Sequence, residues 1–218
     1  MVNRRGKLIL MHPEDEGRGV PARRRRRTPE VAEREIIAAA EALLREQPFR
    51  ELTVDEVMRR TDLSRPSFYV YFRDRHHLIL RLVEHLGAEL FVMSNRWLRG
   101  TGEGTARARE ALQGVVQVYA AHGPVMRALA DAAADDPEVE AAYSGIVQGF
   151  VDATARHIEE EIAAGTSLPV DPVETAKALV WMMERYLNLS FGHEPTTPPE
   201  DVAEVLITIW TRVLYGGG

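Results

Sequence analysis

Cysteine is absent from all 218 residues, so the sequence has neither a disulfide framework nor thiolate chemistry. No apolar run approaches the length of about 20 residues that a membrane-spanning helix needs. The N-terminus is basic, but it has no long apolar core and no cleavage signal, so it does not resemble a secretory leader. These absences fit a protein of the reducing cytoplasm that has no membrane partner.

Signals of catalysis and of metal binding are also missing. No serine lies in the nucleophile-elbow context of a hydrolase, and the seven histidines are scattered along the chain. His76 and His77 are adjacent, so they point apart on a helix, and no His-Glu-x-x-His or similar metal-binding spacing occurs. We therefore expect no metal and no cofactor, and an all-α enzyme is the weaker alternative for this chain.

Helical patterns account for most of the sequence, and no alternating apolar and polar pattern of useful length indicates a strand. N-cap residues followed by proline mark several helix starts, as in Asp136-Pro137 and Asp171-Pro172. The pattern predicts an all-α chain of about nine helices. One of the predicted boundaries lies near Gly123, where a helix over residues 106–121 ends and a shorter helix over residues 124–134 begins.

Residues 53–75 contain two helix starts only a few residues apart. Thr53 and Glu56 have the spacing of a capping box, and the short helix that they open ends at a turn. Ser64 caps a second helix, with Pro66 in the first turn, where a missing N–H costs nothing. Two short helices joined by a tight turn form a helix-turn-helix, whose second helix enters the DNA major groove.

The second of these helices has side chains suited to DNA. Arg65 can form a fork onto guanine, and the hydroxyls of Tyr69 and Tyr71 can reach phosphates. Phe68 and Phe72 are four residues apart and share one face, so we expect both to pack in the core. The residues alone leave Tyr69 and Tyr71 open between a core position and a DNA contact, because tyrosine commonly has one apolar and one hydrated end.

Positive charge is concentrated in the N-terminal part, although the net charge of the chain is −6. The residues up to Arg81 include 18 Lys and Arg against 13 Asp and Glu, whereas the remainder has 9 against 20. Local charge, not total charge, governs attraction to phosphates. An unbroken basic run consists of Arg23, Arg24, Arg25, Arg26 and Arg27. This run is either a solvated tail or an arm that follows the minor groove or the phosphates.

The stretch LTVDEVMRRTDLSRPSFYVYFRDRHHLIL, which begins at Leu52, resembles the DNA-binding domain of the TetR family of transcriptional repressors. Its family pattern, S-x-x-x-F-Y-x-Y-F, is met by Ser64, Phe68, Tyr69, Tyr71 and Phe72. Arg75 stands where that family usually has a phosphate-binding lysine, which keeps the charge but changes its geometry. The resemblance implies a double-stranded DNA operator as partner, contacted by Thr53, Ser64, Arg65, Pro66, Ser67, Tyr69, Tyr71 and Arg75 together with the arginine run.

The segments ALVWMMERYLNLSF and ITIWTRVLYG are similar to the ethionamide-response repressor branch of that family. The branch has a ligand tunnel, and the resemblance implies a lining of Val115, Tyr119, Val147, Phe150, Val180, Met183, Tyr186 and Trp210. Val180 and Met183 replace asparagines of the branch, so we expect a more apolar pocket for a small apolar or aromatic effector. Glu184 and Arg185 match an acidic–basic pair of the branch, which we interpret as a salt bridge within the bundle rather than as a ligand contact.

The last two predicted helices have more apolar surface than one narrow stripe, which suggests a partner. In the family these helices form a four-helix homodimer interface, which here implies Ala178, Met182, Val205, Ile209 and Val213. A two-fold dimer presents two recognition helices about 34–36 Å apart, or a multiple of that, and predicts a palindromic operator. A sequence-independent, architectural DNA-binding protein is the main alternative, which the basic run favours and the acidic second half disfavours.

The predicted organisation therefore has four parts. They are a disordered basic arm, a three-helix helix-turn-helix DNA-binding domain, a linking helix, and a helical ligand-binding and dimerisation bundle, over residues 1–27, 28–75, 76–99 and 100–218.

Overall fold

A computed structural model describes residues 28–216, so the predicted basic arm and residues 217–218 lie outside the described part of the chain. Residues 28–216 form eight α-helices and one short 3₁₀ helix, Phe49–Glu51, and contain no strand. The α-helices are α1 (Pro29–Leu44), α2 (Val54–Arg59), α3 (Arg65–Tyr71), α4 (Arg75–Leu98), α5 (Gly104–Asp135), α6 (Pro137–Ala163), α7 (Pro172–Phe191) and α8 (Pro199–Tyr215).

The capping signals in the sequence set the starts of the central helices. Thr53 and Glu56 form a reciprocal capping box at α2, in which the Glu56 N–H donates to Thr53 Oγ1 over 3.2 Å and the Thr53 N–H donates to Glu56 Oε2 over 3.1 Å. The side chain of Asp74 accepts from the His77 N–H over 2.8 Å and caps α4. These caps supply partners for N–H groups that a helix start leaves unpaired, and the capping box at Thr53 was expected from the sequence.

One long helix, α4, connects the N-terminal helices to the bundle. The face formed by Leu78, Leu82, Leu86 and Leu90 is buried, in keeping with a spacing of four residues. Its first turns pack beside α3 and the 3₁₀ helix, and its remaining length packs against α5 and α6. The same helix therefore contacts both the N-terminal helices and the bundle.

The expected break near Gly123 is wrong, because α5 continues without interruption from Gly104 to Asp135 with Pro124 inside it. Proline in a helix interior costs about 3 kcal/mol, which is the basis of the expectation. The helical turns before and after Pro124 are buried through residues such as Tyr119 and Val125. This packing offsets the cost of proline in the helix. The close approach of α7 also requires glycine at position 123, since a Cβ atom there would lie 2.1 Å from the Phe191 carbonyl oxygen.

The apolar core is continuous from α1 to α8, and α5 lies at its centre in contact with α4, α6, α7 and α8. Loop residues 99–103 separate α4 from α5 without interrupting that core. Within residues 28–216 no helix has both the length and the apolar character that crossing a bilayer requires.

Candidate DNA-reading surface and effector cavity

The seven residues of α3 separate into a buried face and an exposed face. Phe68 and Phe72 are buried at 0% and 1% exposure, as the sequence predicts, and their ring centroids lie 5.3 Å apart. The other side of the helix presents four exposed residues, Arg65, Pro66, Tyr69 and Val70. The two faces follow from helical periodicity, since residues four apart lie above one another.

The first turn of α3 offers polar groups that remain accessible. Arg65 Nε lies 2.5 Å from Asp55 Oδ1 of α2, and both side chains are more than half exposed. A surface ion pair of this kind contributes little stability, so the guanidinium can exchange Asp55 for a base or a phosphate. Ser64 makes no side-chain cap, and its Oγ lies 2.9 Å from the Oγ of Ser67.

Arg75 has a structural role that the sequence does not reveal. The Arg75 Nη1 donates to the carbonyl oxygens of Arg50 and Leu52, both over 3.1 Å, and the guanidinium carbon lies 5.1 Å from the centroid of the Phe49 ring. Arg75 therefore ties α4 to the segment that carries Thr53. Its remaining N–H groups are the ones that can reach a phosphate.

Sequence reasoning missed Val70, which is 75% exposed on the reading face. Val70 lies four residues after Pro66, and helical spacing could have placed it on that face. The two exposed methyl groups of Val70 suit contact with the C5-methyl group of thymine.

Tyr71, also predicted from the sequence as a DNA contact, is half-buried, and its ring centroid lies 6.4 Å from that of Phe72.

A cavity of about 60 Å³ lies between α4, α5, α6 and α7. Six of the eight predicted ligand residues line it: Val115, Tyr119, Val147, Phe150, Val180 and Met183. A second chamber of about 30 Å³ lies beside it, shares four of these residues and reaches Trp210. Tyr186 lines neither chamber and packs against the outside of the core. Both chambers are smaller than a drug-sized ligand requires.

One end of the larger cavity is polar. The Tyr143 hydroxyl donates to Glu184 Oε1, and the Asn188 Nδ2 donates to the same oxygen over 2.6 Å. Burial raises the pKa of the Tyr119 and Tyr143 phenols above their ordinary value, and the nearby Glu184 carboxylate adds to both shifts. Both phenols are therefore neutral and can act as hydrogen-bond donors at any physiological pH.

The expected salt bridge between Glu184 and Arg185 is not formed. Consecutive helical residues point about 100° apart, so Glu184 lines the cavity whereas Arg185 is exposed. Among the described residues, no Lys, Arg or His forms an ion pair with Glu184. The carboxylate is thus an uncompensated charge at the edge of an apolar space.

A second polar cluster, absent from the sequence predictions, holds the C-terminal end of α4. Arg107 donates from Nη1 to the Trp97 carbonyl oxygen and from Nη2 to Glu161 Oε1, each over 2.6 Å. Tyr215 donates to Glu161 Oε2 over 2.6 Å and accepts from Trp97 Nε1 over 2.8 Å. We call Trp97, Arg107, Glu161 and Tyr215 the α4 clamp, since it joins the end of α4 to α5, α6 and α8.

Two histidine–carboxylate contacts join the N-terminal helices to the bundle. His122 Nδ1 of α5 lies 2.9 Å from Glu41 Oε1 of α1. His76 Nε2 of α4 lies 3.2 Å from Asp136 Oδ2, at the start of α6. In the described part of the chain no group of three or more His, Asp or Glu side chains is arranged to hold a metal ion.

An exposed apolar face covers one side of α7 and α8. Of the five predicted dimer residues, Ala178, Val205 and Val213 are exposed, and Met182 and Ile209 are half-buried. Trp181 also lies on this face, where it is 44% exposed, a position that the sequence analysis did not predict. Leu189, at 66% exposure, extends the same apolar face along α7.

Two family models match this chain. Residues 36–82 match the model described as bacterial regulatory proteins, tetR family, which spans most of α1 through the start of α4. Residues 108–216 match the model described as transcriptional regulator EthR, C-terminal domain. The division between them falls where the structure passes from the helix-turn-helix to the bundle.

Comparison with individual proteins gives the same result. The chain is 31% identical over 204 residues to the HTH-type transcriptional regulator EthR of Mycobacterium tuberculosis, covering 90% of this chain and 94% of that protein. It is 29% identical over 201 residues to EthR of Mycolicibacterium smegmatis, with coverage of 90% and 93%. The fold is similar to regulatory protein TetR from Rhodobacter sphaeroides, with a TM-score of 0.64, 23% identity, and coverage of 83% of this chain and 95% of that one.

A helix-turn-helix joined through one long helix to an all-α bundle defines a TetR-type regulator. The chain belongs to the TetR family of bacterial transcriptional regulators, and its C-terminal domain is of the EthR type. The predicted all-α fold class is thereby confirmed. The relatives are named as transcriptional regulators, not as enzymes.

Proposed function

We propose that this protein is a cytoplasmic transcriptional repressor that binds a palindromic operator as a homodimer and releases it when a small, largely apolar effector enters the bundle. One observation supports this most strongly: α4 both adjoins the reading helix and forms a wall of the cavity. Phe72 at the end of α3 contacts His77 of α4 at a centroid distance of 5.9 Å. Val83, Leu86 and Leu90 of the same helix line the cavity.

The exposed apolar face of α7 and α8 supports the homodimer. Trp181, Leu189 and Val205 are each more than two-fifths exposed, which is costly for large apolar side chains gathered on one face. A second copy related by a two-fold axis would cover the same face on both chains. Two copies of α3 would then enter successive major grooves of the DNA, because the dimer fixes the distance between them.

The size of the cavity supports release by an effector. A ligand that shifts the DNA equilibrium must bind one arrangement of the reading helices better than the other. Since the present cavity holds about 60 Å³, a drug-sized effector binds only an expanded bundle. Expansion moves α4 against the contact between His76 and Asp136, which joins the first turn of α4 to the start of α6.

Selection of bound fragments from genomic DNA tests the proposal. We expect the full chain to enrich a palindromic sequence and to bind it far more tightly than unrelated duplex at the same salt concentration. An architectural protein would instead lose affinity equally on all sequences as salt rises, and that result would contradict sequence-specific repression. A screen of small molecules for release of the enriched duplex then tests the effector separately from the operator.

A further inference from the structure

The cavity contains one charge in an otherwise apolar wall. Among the described residues that line the larger cavity and the second chamber, Glu184 is the only charged side chain. Carboxylates in apolar surroundings are normally paired with a cation or strongly hydrogen-bonded, because transfer of a charge out of water is costly. Within the described chain Glu184 has hydrogen-bond donors but no cation.

Hydrogen-bond acceptors exceed donors at this end of the cavity. The Tyr143 hydroxyl and Asn188 Nδ2 both donate to Oε1 of Glu184, and no described residue donates to Oε2. Asn188 is only 7% exposed, and its Oδ1 is buried without a partner. Two carboxylate oxygens and one amide oxygen can accept more hydrogen bonds than the local side chains supply. A ligand with hydrogen-bond donors and a positive charge would complement Glu184 at this end of the cavity.

We propose that the effector is an amphipathic cation, an amine or ammonium compound whose charged end binds Glu184 and whose apolar body extends along the cavity. This inference rests on the proposed function, because it assigns a chemical class to the effector of the same site. An ammonium group supplies up to three donors and the positive charge that Glu184 lacks, and Glu184 Oε2 accepts from no described residue. Tyr119 and Tyr143 line the same cavity as Glu184, and aromatic rings attract cations.

The second chamber sets the direction of the apolar body. Phe150 and Met183 line both chambers, so they separate the Glu184 end from the Trp210 end. Phe150 stacks on Phe91 of α4 with ring centroids 4.0 Å apart. A ligand that joins the chambers must displace Phe150 or rearrange the flexible Met183 side chain, and displacement of Phe150 disturbs its contact with α4. An elongated monocation therefore fits the site better than a compact one.

Three probes with one apolar body and different head groups test this inference: phenylbutylamine, phenylbutanol and phenylbutanoic acid. Calorimetric titration of the full chain should show the amine binding at least about tenfold more tightly than the alcohol, and the acid most weakly. Glu184→Gln should abolish the advantage of the amine while leaving the affinity for phenylbutanol in place. Glu159→Gln, a matched change of an exposed carboxylate on α6, should leave all three affinities unchanged.

The inference is overturned if phenylbutylamine binds no more tightly than phenylbutanol, whether or not either binds, or if Glu184→Gln leaves the preference for the amine intact. The probe series on the unchanged chain decides the question even if the variant does not fold. The proposed function is judged separately from operator binding and release. Release of the operator by phenylbutanol but not by phenylbutylamine would refute the cationic effector and leave the ligand-responsive repressor standing.

Discussion

The side chains of α3 have different roles, because in the proposed function this short helix both packs against the core and contacts DNA. Phe68 and Phe72 anchor it to the core, and this leaves Tyr69 standing 52% exposed beside Arg65. A ring held on a short, well-anchored helix loses little conformational entropy when it meets DNA. The DNA contribution of Tyr69 should therefore be separable from its small contribution to folding.

Tyr69→Ala should weaken binding to the selected operator by about 1–3 kcal/mol. The loss should be smaller on unrelated duplex if the side chain reads base edges as well as phosphate. Fluorescence anisotropy on both duplexes at one salt concentration measures the difference, and thermal unfolding verifies that the variant remains folded. Operator affinity equal to that of the unchanged chain would exclude α3 as the reading helix.

His157 should make stability depend on pH. It is 7% exposed beside the α4 clamp, both ring nitrogens lack hydrogen bonds, and Nε2 lies 3.5 Å from Glu161 Oε1. Burial lowers the pKa of His157 below its ordinary value near 6.5, the Glu161 carboxylate opposes the shift, and Arg107 adds to it. The folded chain thus binds fewer protons here than the unfolded chain, so stability is lost as pH falls below about 6.5.

The expected result is a larger loss of unfolding free energy between about pH 7.5 and about pH 5.5 in the unchanged chain than in His157→Leu. Urea unfolding at the two pH values measures this difference. His85→Leu removes an exposed histidine of α4 and serves as the control. Equal pH dependence in the unchanged chain and His157→Leu would show that His157 is not the group responsible.

Sequence reasoning works at the residue scale where local periodicity decides the environment. The burial of Phe68 and Phe72 follows from their spacing alone. The positions of Arg75, Glu184 and Trp181 depend instead on which tertiary neighbour each side chain meets. Arg75 meets carbonyl oxygens 23 and 25 residues earlier in the chain, and no spacing rule contains that information.

At the scale of elements, α5 shows local and tertiary preferences in conflict. Gly123 and Pro124 both indicate a helix end, yet the helix continues because the chain on either side is buried. The caps at Thr53 and Asp74 were predictable, since their partners lie within three residues. The continuity of α5 was not, because it depends on α7, whose C-terminal end packs directly on Gly123.

Gly123→Ala should destabilise the fold by more than about 1–3 kcal/mol, because the added Cβ atom would meet the Phe191 backbone rather than a movable side chain. Gly145→Ala is the matched control, because it lies in α6 at a position where an added Cβ atom would enter open space. That change should stabilise the fold by about 0.5–1 kcal/mol through helix propensity alone. Urea unfolding gives both values, and a neutral or stabilising Gly123→Ala would contradict close packing of α5 on α7.

At the scale of the whole molecule, the proposed function requires the exposed face of α7 and α8 to hold two copies of α3 together. Trp181→Glu places a charge at the centre of that face, where the isolated chain tolerates it because the side chain is 44% exposed. We expect a monomer by sedimentation. We also expect operator affinity to fall by about 100-fold or more, because a monomer contacts only one half-site of the operator. Val92→Glu, at a 60% exposed position on α4, should remain dimeric.

The proposed coupling between effector and operator predicts a change in the distance between the two copies of α3. Because the sequence contains no cysteine, an introduced cysteine can be labelled specifically and that distance can be measured. Arg73→Cys places a unique label just beyond α3, and Glu140→Cys places one on the bundle. The α4 clamp holds the C-terminal end of α4 through Arg107 and Glu161, so the motion that an effector causes should be largest at the opposite end. Spin-label distances within the dimer should therefore change on effector binding for Arg73→Cys and remain constant for Glu140→Cys. Loss of operator binding with no change at position 73 would reject a switch based on the separation of the reading helices.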